Sequence, residues 1–257
     1  MKCIQYPSGI KAVFFDFMGT CLDWYSGITA ALPERLDENT KRSLAIAWRE
    51  AFFTDIHERF ERGLPVESFD TTNARQLDVV LKQYGLTLSE TEKSQLVQAW
   101  HSMPAWEDVA EGLRDLKGRG LELFVLANGT TRLQLDLVRS SNLHEFNMLF
   151  SSELLGLVKP DPKFYTTALN LTGYRPDETA MVAAHAYDLQ AAQKLGMRTV
   201  YISRWTEDTQ VDLRQVYEDM DGFIGSVRGD KEKEDSQDTA MMRHLSVALG
   251  LERATDI

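Results

Sequence analysis

Residues 11–20 read Lys11-Ala-Val-Phe-Phe-Asp16-Phe-Met-Gly-Thr20, and this stretch decides the fold. Four apolar residues run into a carboxylate and then into Gly19-Thr20, the pattern of a buried strand that opens into a loop. Working outward, further strands are expected at Glu122–Ala127, Met181–Ala184 and Thr199–Ile202, with a shorter one near Asn147–Phe150. Helical patterns lie between them at Glu107–Lys117, Arg132–Ser140, Pro162–Leu171 and Tyr187–Leu195. Strand and helix alternate across short Gly-bearing turns, which predicts an α/β fold with a doubly wound parallel, Rossmann-like sheet. Residues 23–103 break the alternation with long helical patterns. Leu44, Trp48, Ala51 and Phe52 share one helix face, and so do Leu77, Val80, Leu81 and Tyr84. The simplest organisation is a core of residues 1–22 and 104–257, with residues 23–103 inserted as a helical cap. Gly229–Asp238 holds no apolar residue and is expected to be a solvated linker before a last amphipathic helix around Thr239–Leu249.

The 257 residues are 43% hydrophobic and 26% charged, which is globular composition and enough chain for a sizeable core. The net charge of −11 argues against nucleic-acid binding, which depends on neutralising phosphates, and against an anionic membrane surface. No apolar run reaches membrane-spanning length, and no signal-peptide core follows the first residues. Two cysteines, Cys3 and Cys21, cannot build a disulfide framework. The expectation is a cytoplasmic protein acting on a small molecule, with no nucleic-acid or membrane partner.

Ligands of open parallel sheets bind beyond the carboxyl ends of the strands. Four clusters fall there: Asp16-Phe-Met-Gly-Thr20, Asn128-Gly-Thr130, Lys159-Pro-Asp161-Pro and His185-Ala-Tyr-Asp188. Singly, each has a plain structural reading as a strand end, a turn, a surface loop or a helix cap. In order, at successive strand ends, they gather a carboxylate, an amide, a cation and a second carboxylate near one point.

These motifs resemble the haloacid dehalogenase superfamily, and specifically its type II L-2-haloacid dehalogenase branch. The matching pieces are FFDFMGTCLDW at 14–24, WRE at 48–50, LANGT at 126–130, KPDPKFY at 159–165 and VAAHAYDLQAAQKLGMRTVYISR at 182–204. The resemblance implies a hydrolase with no cofactor and no metal ion, in which Asp16 is the nucleophile. A positioned, desolvated carboxylate can attack carbon or phosphorus and be regenerated by water. Lys159 then pairs with the nucleophile, Asp188 pairs with the lysine and helps place the hydrolytic water, and Thr20 bonds to Asp16. Asn128 helps hold the substrate carboxylate, Tyr165 is an aromatic near the lysine, and Arg49 receives the halide. Phe17 and Met18 flank the nucleophile as substrate-contacting positions. The resemblance also implies a 2-halo acid or related organic acid as substrate, and a homodimer.

Met18 is informative for what it lacks. Phosphatase branches of the superfamily carry an acid there that protonates a departing alkoxide. A thioether neither donates a proton nor binds a hard metal ion well. A halide departs without a proton, so this position favours cleavage of a carbon–halogen bond. The dehalogenase branch usually carries Tyr at this position. Four further positions depart from its pattern: Ala127, where it has a serine, and Ala183-Ala184-His185, where it has Ser-Ser-Asn. His185 is open to two roles, as a base toward water or as a hydrogen-bond donor to an anion, beside a plain reading as a histidine hydrogen-bonded at a strand end. Arg49 has a second reading as an exposed helix arginine. Tyr165 has one as a packed side chain, and Cys21 reads as a buried filler. Trp24, Tyr25, Trp48, Phe52 and Phe53 suit either a pocket or plain packing. His57, His101, His144 and His244 show no metal-ligand spacing. Three alternatives to a dehalogenase stand: a related hydrolase of a larger secondary metabolite, a magnesium-dependent phosphatase, and a binding protein without catalysis.

Overall fold

The structure, a computed structural model, describes residues 1–4, 9–65, 67–226 and 242–251. In chain order its elements are β1 (Ala12–Phe15), α1 (Trp24–Ala31), α2 (Glu38–Glu61), α3 (Phe69–Gln83), α4 (Glu90–Ala99), α5 (Val109–Gly118) and β2 (Glu122–Ala127). There follow α6 (Thr131–Ser141), β3 (Met148–Ser151), α7 (Ser152–Leu155), α8 (Pro162–Thr172), β4 (Thr179–Ala183), α9 (Ala186–Gln193), β5 (Arg198–Ile202), α10 (Leu213–Asp219), β6 (Gly222–Ile224) and α11 (Leu245–Ala248). The strands form one sheet in the order β3-β2-β1-β4-β5-β6, and every pairing is parallel. The fold is the expected doubly wound α/β fold.

Contacts divide the chain into two compact units: Met1–Leu22, Ala105–Thr131 and Asn142–Ile257 in one, Asp23–Pro104 and Arg132–Ser141 in the other. In the α/β unit both faces of the sheet are covered, so β1 is buried at all four positions. One face packs Phe14, Phe124, Phe150 and Met181 against Phe164, Tyr165 and Leu189 of α8 and α9. The Phe14 and Phe124 rings lie 5.0 Å apart. Each such side chain contributes roughly 1.5–3 kcal/mol by leaving water. Helix α8 begins where sequence logic puts it: Asp161 accepts from Lys163 N, Pro162 takes the first turn, and Gly173 ends the helix at φ 75°. The sixth strand, β6, lies outside the sequence expectation because three residues are too few to show a period. The expected linker at 229–238 lies outside the described residues. The described part of the expected final helix is one turn of 3-10 helix, Met242–His244, followed by α11.

In the helical unit Trp48 is fully buried and its indole N–H donates to Asn73 O. Trp100 packs edge-on to Trp48 and stacks on Trp24. Leu77, Val80 and Leu81 are buried as their spacing predicts, but Tyr84 caps the end of α3 and is exposed. His101 bridges Asp70 and Asp136 at 2.9 and 3.0 Å, which ties α3 to α6. Burial would lower the pKa of His101, and the two carboxylates raise it. No helix among the described residues is long and apolar enough to cross a membrane.

Candidate active site

Asp16 leaves the end of β1 with its backbone N–H still donating to Val182 O on the neighbouring β4. The strand order reverses between these two neighbours, which opens a crevice at their carboxyl ends. The loop after Asp16 turns back at Gly19, at φ 85°. A Cβ on Gly19 would lie 2.5 Å from the carboxyl carbon of Glu207, so this position has room only for glycine. Beneath the turn, the Trp106 indole N–H donates to Gly19 O and Arg204 Nε donates to Thr20 O. Arg204 is held in turn by both oxygens of buried Asp108. The Thr20 hydroxyl accepts from Ala184 N at 2.9 Å, which aims its proton at Asp16 Oδ2, 2.7 Å away. Cys21 is fully buried and burial pushes its thiol pKa well up, so it is a packed thiol with no nucleophilic character.

Lys159 follows β3 by way of α7, at the loop that leads into α8. Its Nζ donates to Asp16 Oδ1 at 3.0 Å and to Asp188 Oδ2 at 2.5 Å. The Tyr165 hydroxyl donates to Asp188 Oδ1 at 2.6 Å, so the tyrosine is both packed and bonded. Asn128 Oδ1 accepts from Lys159 N at 2.9 Å and thereby fixes the backbone that carries the lysine. Burial works against every charge here. For Asp16, burial is outweighed by the charges of Lys159 and His185 and the bond from Thr20, which hold the carboxyl below the usual range. For Lys159, burial is outweighed by Asp16 and Asp188, so the ammonium persists. For Asp188, burial wins and, with the Asp16 charge, raises its pKa. One lysine shared by two buried carboxylates leaves a surplus negative charge, and Asp188 is where a proton is most easily taken up.

His185 starts α9 beside this triad. Its Nε2 lies 3.3 Å from Glu207 Oε2 and 3.7 Å from Asp16 Oδ2, and its Nδ1 lies 3.6 Å from Asp208 Oδ1. The Tyr187 ring is its aromatic neighbour. Burial would lower its pKa, yet the bond it donates to Asp208 and the charges of Glu207, Asp16 and Asp208 raise it to about 9. An imidazolium has no lone pair with which to take a proton, so these surroundings favour the donor role over the base role. The raised pKa has a stability consequence with a definite sign. The contribution is complete below about pH 6.5, the unfolded value, and is lost as pH rises through about 9. The melting-temperature advantage of wild type over His185→Asn therefore shrinks between those two pH values, which a thermal melt series from pH 6 to 10 measures.

A haloacid dehalogenase-like hydrolase family model matches residues 10–196, most of the chain. The chain belongs to the haloacid dehalogenase-like hydrolases. It is 28% identical over 198 residues to (S)-2-haloacid dehalogenase 1 from Pseudomonas sp. strain CBS-3, covering 76% of this chain and 85% of that one. A crystal structure of an L-2-haloacid dehalogenase superposes with a TM-score of 0.68 at 33% identity, over 76% of this chain and 85% of that chain. The L-2-haloacid dehalogenase from Xanthobacter autotrophicus with chloropropionic acid covalently bound gives a TM-score of 0.68 at 25% identity, over 76% and 78%.

In this haloacid dehalogenase-like hydrolase, the structure gathers Asp16, Thr20, Lys159, Tyr165, Asp188 and His185 at one point. Asn128 joins them through the backbone of Lys159. Phe17 is buried edge-on against Phe146, and Met18 is partly buried in the loop. Arg49 lies in the helical unit, only 5% exposed, with its guanidinium over Phe53 at 4.3 Å and near Trp24 and Trp100. That corrects the reading of Arg49 as an exposed helix arginine: an aromatic box replaces much of the water its charge gives up. Trp24, Trp48 and Phe52 are buried in the same unit. Glu207 and Asp208 are the site residues that sequence reasoning missed. Their one signal is position, a pair of carboxylates just past the carboxyl end of β5. Among the described residues no group of three or more His, Cys, Asp or Glu side chains is placed to hold a metal ion.

Proposed function

We propose that this haloacid dehalogenase-like hydrolase displaces halide from C2 of a small 2-halo acid, with Asp16 as nucleophile. The observation that carries the reading is an ionised aspartate gripped by Lys159 and Thr20, with a methionine two residues on. The grip keeps the attacking group charged and aimed. The methionine leaves a departing alkoxide in the first step without an acid on this loop, while a halide needs none.

Asp16 Oδ1 attacks C2 from behind the carbon–halogen bond. The new C–O bond forms as the halide departs with its electron pair, with inversion at carbon. Water then attacks Cγ of the resulting ester, and Asp188 accepts the water proton. The Cγ–Oδ1 bond breaks, the departing alkoxide takes a proton from Lys159, and Asp188 returns one to the lysine. The remaining proton of the regenerated acid goes to solvent, because the paired Asp16 is the stronger acid. Asn128 and Tyr165 act by fixing Lys159 and Asp188. Chloride release from 2-chloropropionate, followed with a halide electrode and matched by an equal yield of lactate, tests the proposal. No halide release from any of the small 2-chloro and 2-bromo acids would set it aside.

A second reading has its own support. Ala127, Ala183 and Ala184 are buried at positions where the dehalogenase pattern carries serines, so side-chain hydroxyls that would hold a small substrate carboxylate are missing. This favours a larger organic acid that makes its contacts elsewhere, processed through the same aspartyl ester. Mass spectrometry of Asp16 after incubation with a panel of larger halo acids separates the two.

A further inference from the structure

The steps above leave two carboxylates beside His185 without a task, Glu207 buried and Asp208 partly buried. Glu207 is 6% exposed and wedged against Gly19, with the Thr206 hydroxyl donating to its Oε1. Its Oε2 faces His185 Nε2. Asp208 takes the opposite ring nitrogen, and its own carboxylate is fixed by bonds from Ala186 N and the Tyr201 hydroxyl. The imidazole thus lies between two carboxylates, and its one Nε2 proton faces Glu207 Oε2 at 3.3 Å and, beyond hydrogen-bond reach in this state, Asp16 Oδ2 at 3.7 Å. Burying a carboxylate such as Glu207 is costly unless something charged repays it, and here the charged partner is a ring whose Nε2 lies 3.7 Å from Asp16 Oδ2.

We propose that Glu207 and Asp208 are positioning residues that hold His185 as the second donor to Asp16 Oδ2, so that Thr20 and His185 form an oxyanion hole for hydrolysis of the aspartyl ester. This rests on the function proposed above. The two half-reactions make opposite demands on Oδ2. In the displacement step negative charge leaves the Asp16 carboxylate, so donors on Oδ2 aim the carboxylate but do not stabilise that transition state. When water attacks Cγ, the carbonyl electron pair moves onto Oδ2 and charge rebuilds there, beside the Thr20 hydroxyl, and draws the single His185 Nε2 proton from Glu207, 3.3 Å away, toward Oδ2, 3.7 Å away. As the pair returns to Cγ, the bond to Oδ1 breaks and the hydroxy acid departs. Preorganised donors at such an oxygen are worth about 10²–10³-fold. Ala183 and Ala184 bring no side-chain donor to this place, so His185 is the residue of that motif that can supply one.

The inference has a kinetic signature that a merely structural role lacks, because it concerns the second half-reaction alone. With 2-chloropropionate as probe, Glu207→Gln lowers steady-state turnover about 10-fold and His185→Ala about 10²-fold. In both, the first chloride per active site is released within about twofold of the wild-type rate, and the Asp16 ester accumulates by mass spectrometry. His185→Asn, which keeps a short N–H donor, recovers part of the loss and carries the test if Glu207→Gln folds poorly. Equal slowing of the chloride burst and of steady-state turnover, with no ester accumulating, overturns the inference and leaves the proposed function standing. Absence of chloride from wild type overturns both.

Discussion

Asp16→Asn lowers halide release by about 10⁴-fold or more while the protein stays folded. The substitution keeps the size of the side chain and its bond from Thr20, so the loop after β1 retains its geometry. What it removes is the charge, and with it the attacking oxygen pair. No other side chain nearby can take over. Cys21 is held as a buried thiol, Tyr165 as a buried phenol whose pKa is pushed far up by burial and Asp188, and Asp188 itself is bonded to both Lys159 and Tyr165. Loss of this size therefore identifies a covalent step and not a perturbed pocket. An isotope experiment on the wild type reads the same step independently. In a single turnover in ¹⁸O water, the oxygen that reaches the product comes from Asp16, because water attacks the carboxyl carbon and not the substrate carbon. The first product is unlabelled and the enzyme gains the label. A fully labelled product in that first turnover would mean direct attack by water and would remove the aspartyl ester from the mechanism.

The strands that carry this site were readable because each is a short apolar run with a punctuating turn. Ala12–Phe15 announces itself by ending in Asp16 and Gly19. The gathering of Asp16, Asn128, Lys159 and Asp188 was readable for the same reason, since they follow successive strands in chain order. Glu207 and Asp208 were not, because Trp205-Thr206-Glu207-Asp208 has the composition of a solvated loop, and carboxylates are rarely buried without a partner. Only the folded chain shows Glu207 lying on Gly19, a contact between residues far apart in the sequence. The protonation of His185 was out of reach for a related reason. It depends on three carboxylates delivered by the loops after β1 and β5, whereas the histidine itself follows β4. Arg49 shows the limit in another form: helical spacing assigned its face, but its burial depends on aromatic rings from three helical segments. Local pattern reports which element a residue belongs to, and long-range charge and packing decide what state it is in.

Lys159→Met removes about 3–5 kcal/mol of stability at neutral pH and nearly all turnover. Methionine matches the lysine stem in length and apolar character, so packing is largely kept and the change isolates the charge. Lys159 is 4% exposed, and its ammonium is shared by Asp16 and Asp188, themselves buried. Without it two carboxylates face each other in a dry site, and one must take up a proton or draw in water. The pH dependence follows from the directions of the shifts. Asp16 is held below its ordinary value of 3.8, so its contribution is present above that pH and is lost as pH falls through the lowered value. Lys159 is held above its ordinary value of 10.5, so its contribution is complete below that pH and is lost as pH rises through the raised value. The gap in unfolding free energy between wild type and Lys159→Met is therefore widest between about pH 4 and pH 10 and narrows on both sides. Urea unfolding at pH 2.5, 7 and 11.5 measures it. A gap that stayed constant across that range would mean the lysine acts by packing alone, and the charge-held nucleophile would lose its physical basis. Turnover falls for a separate reason, because the alkoxide that departs from the ester loses its proton donor and Asp16 is no longer kept ionised. Adding back stability does not restore it: a Lys159→Met protein that is fully folded in a stabilising osmolyte remains inactive, which separates the chemical contribution of the lysine from its structural one.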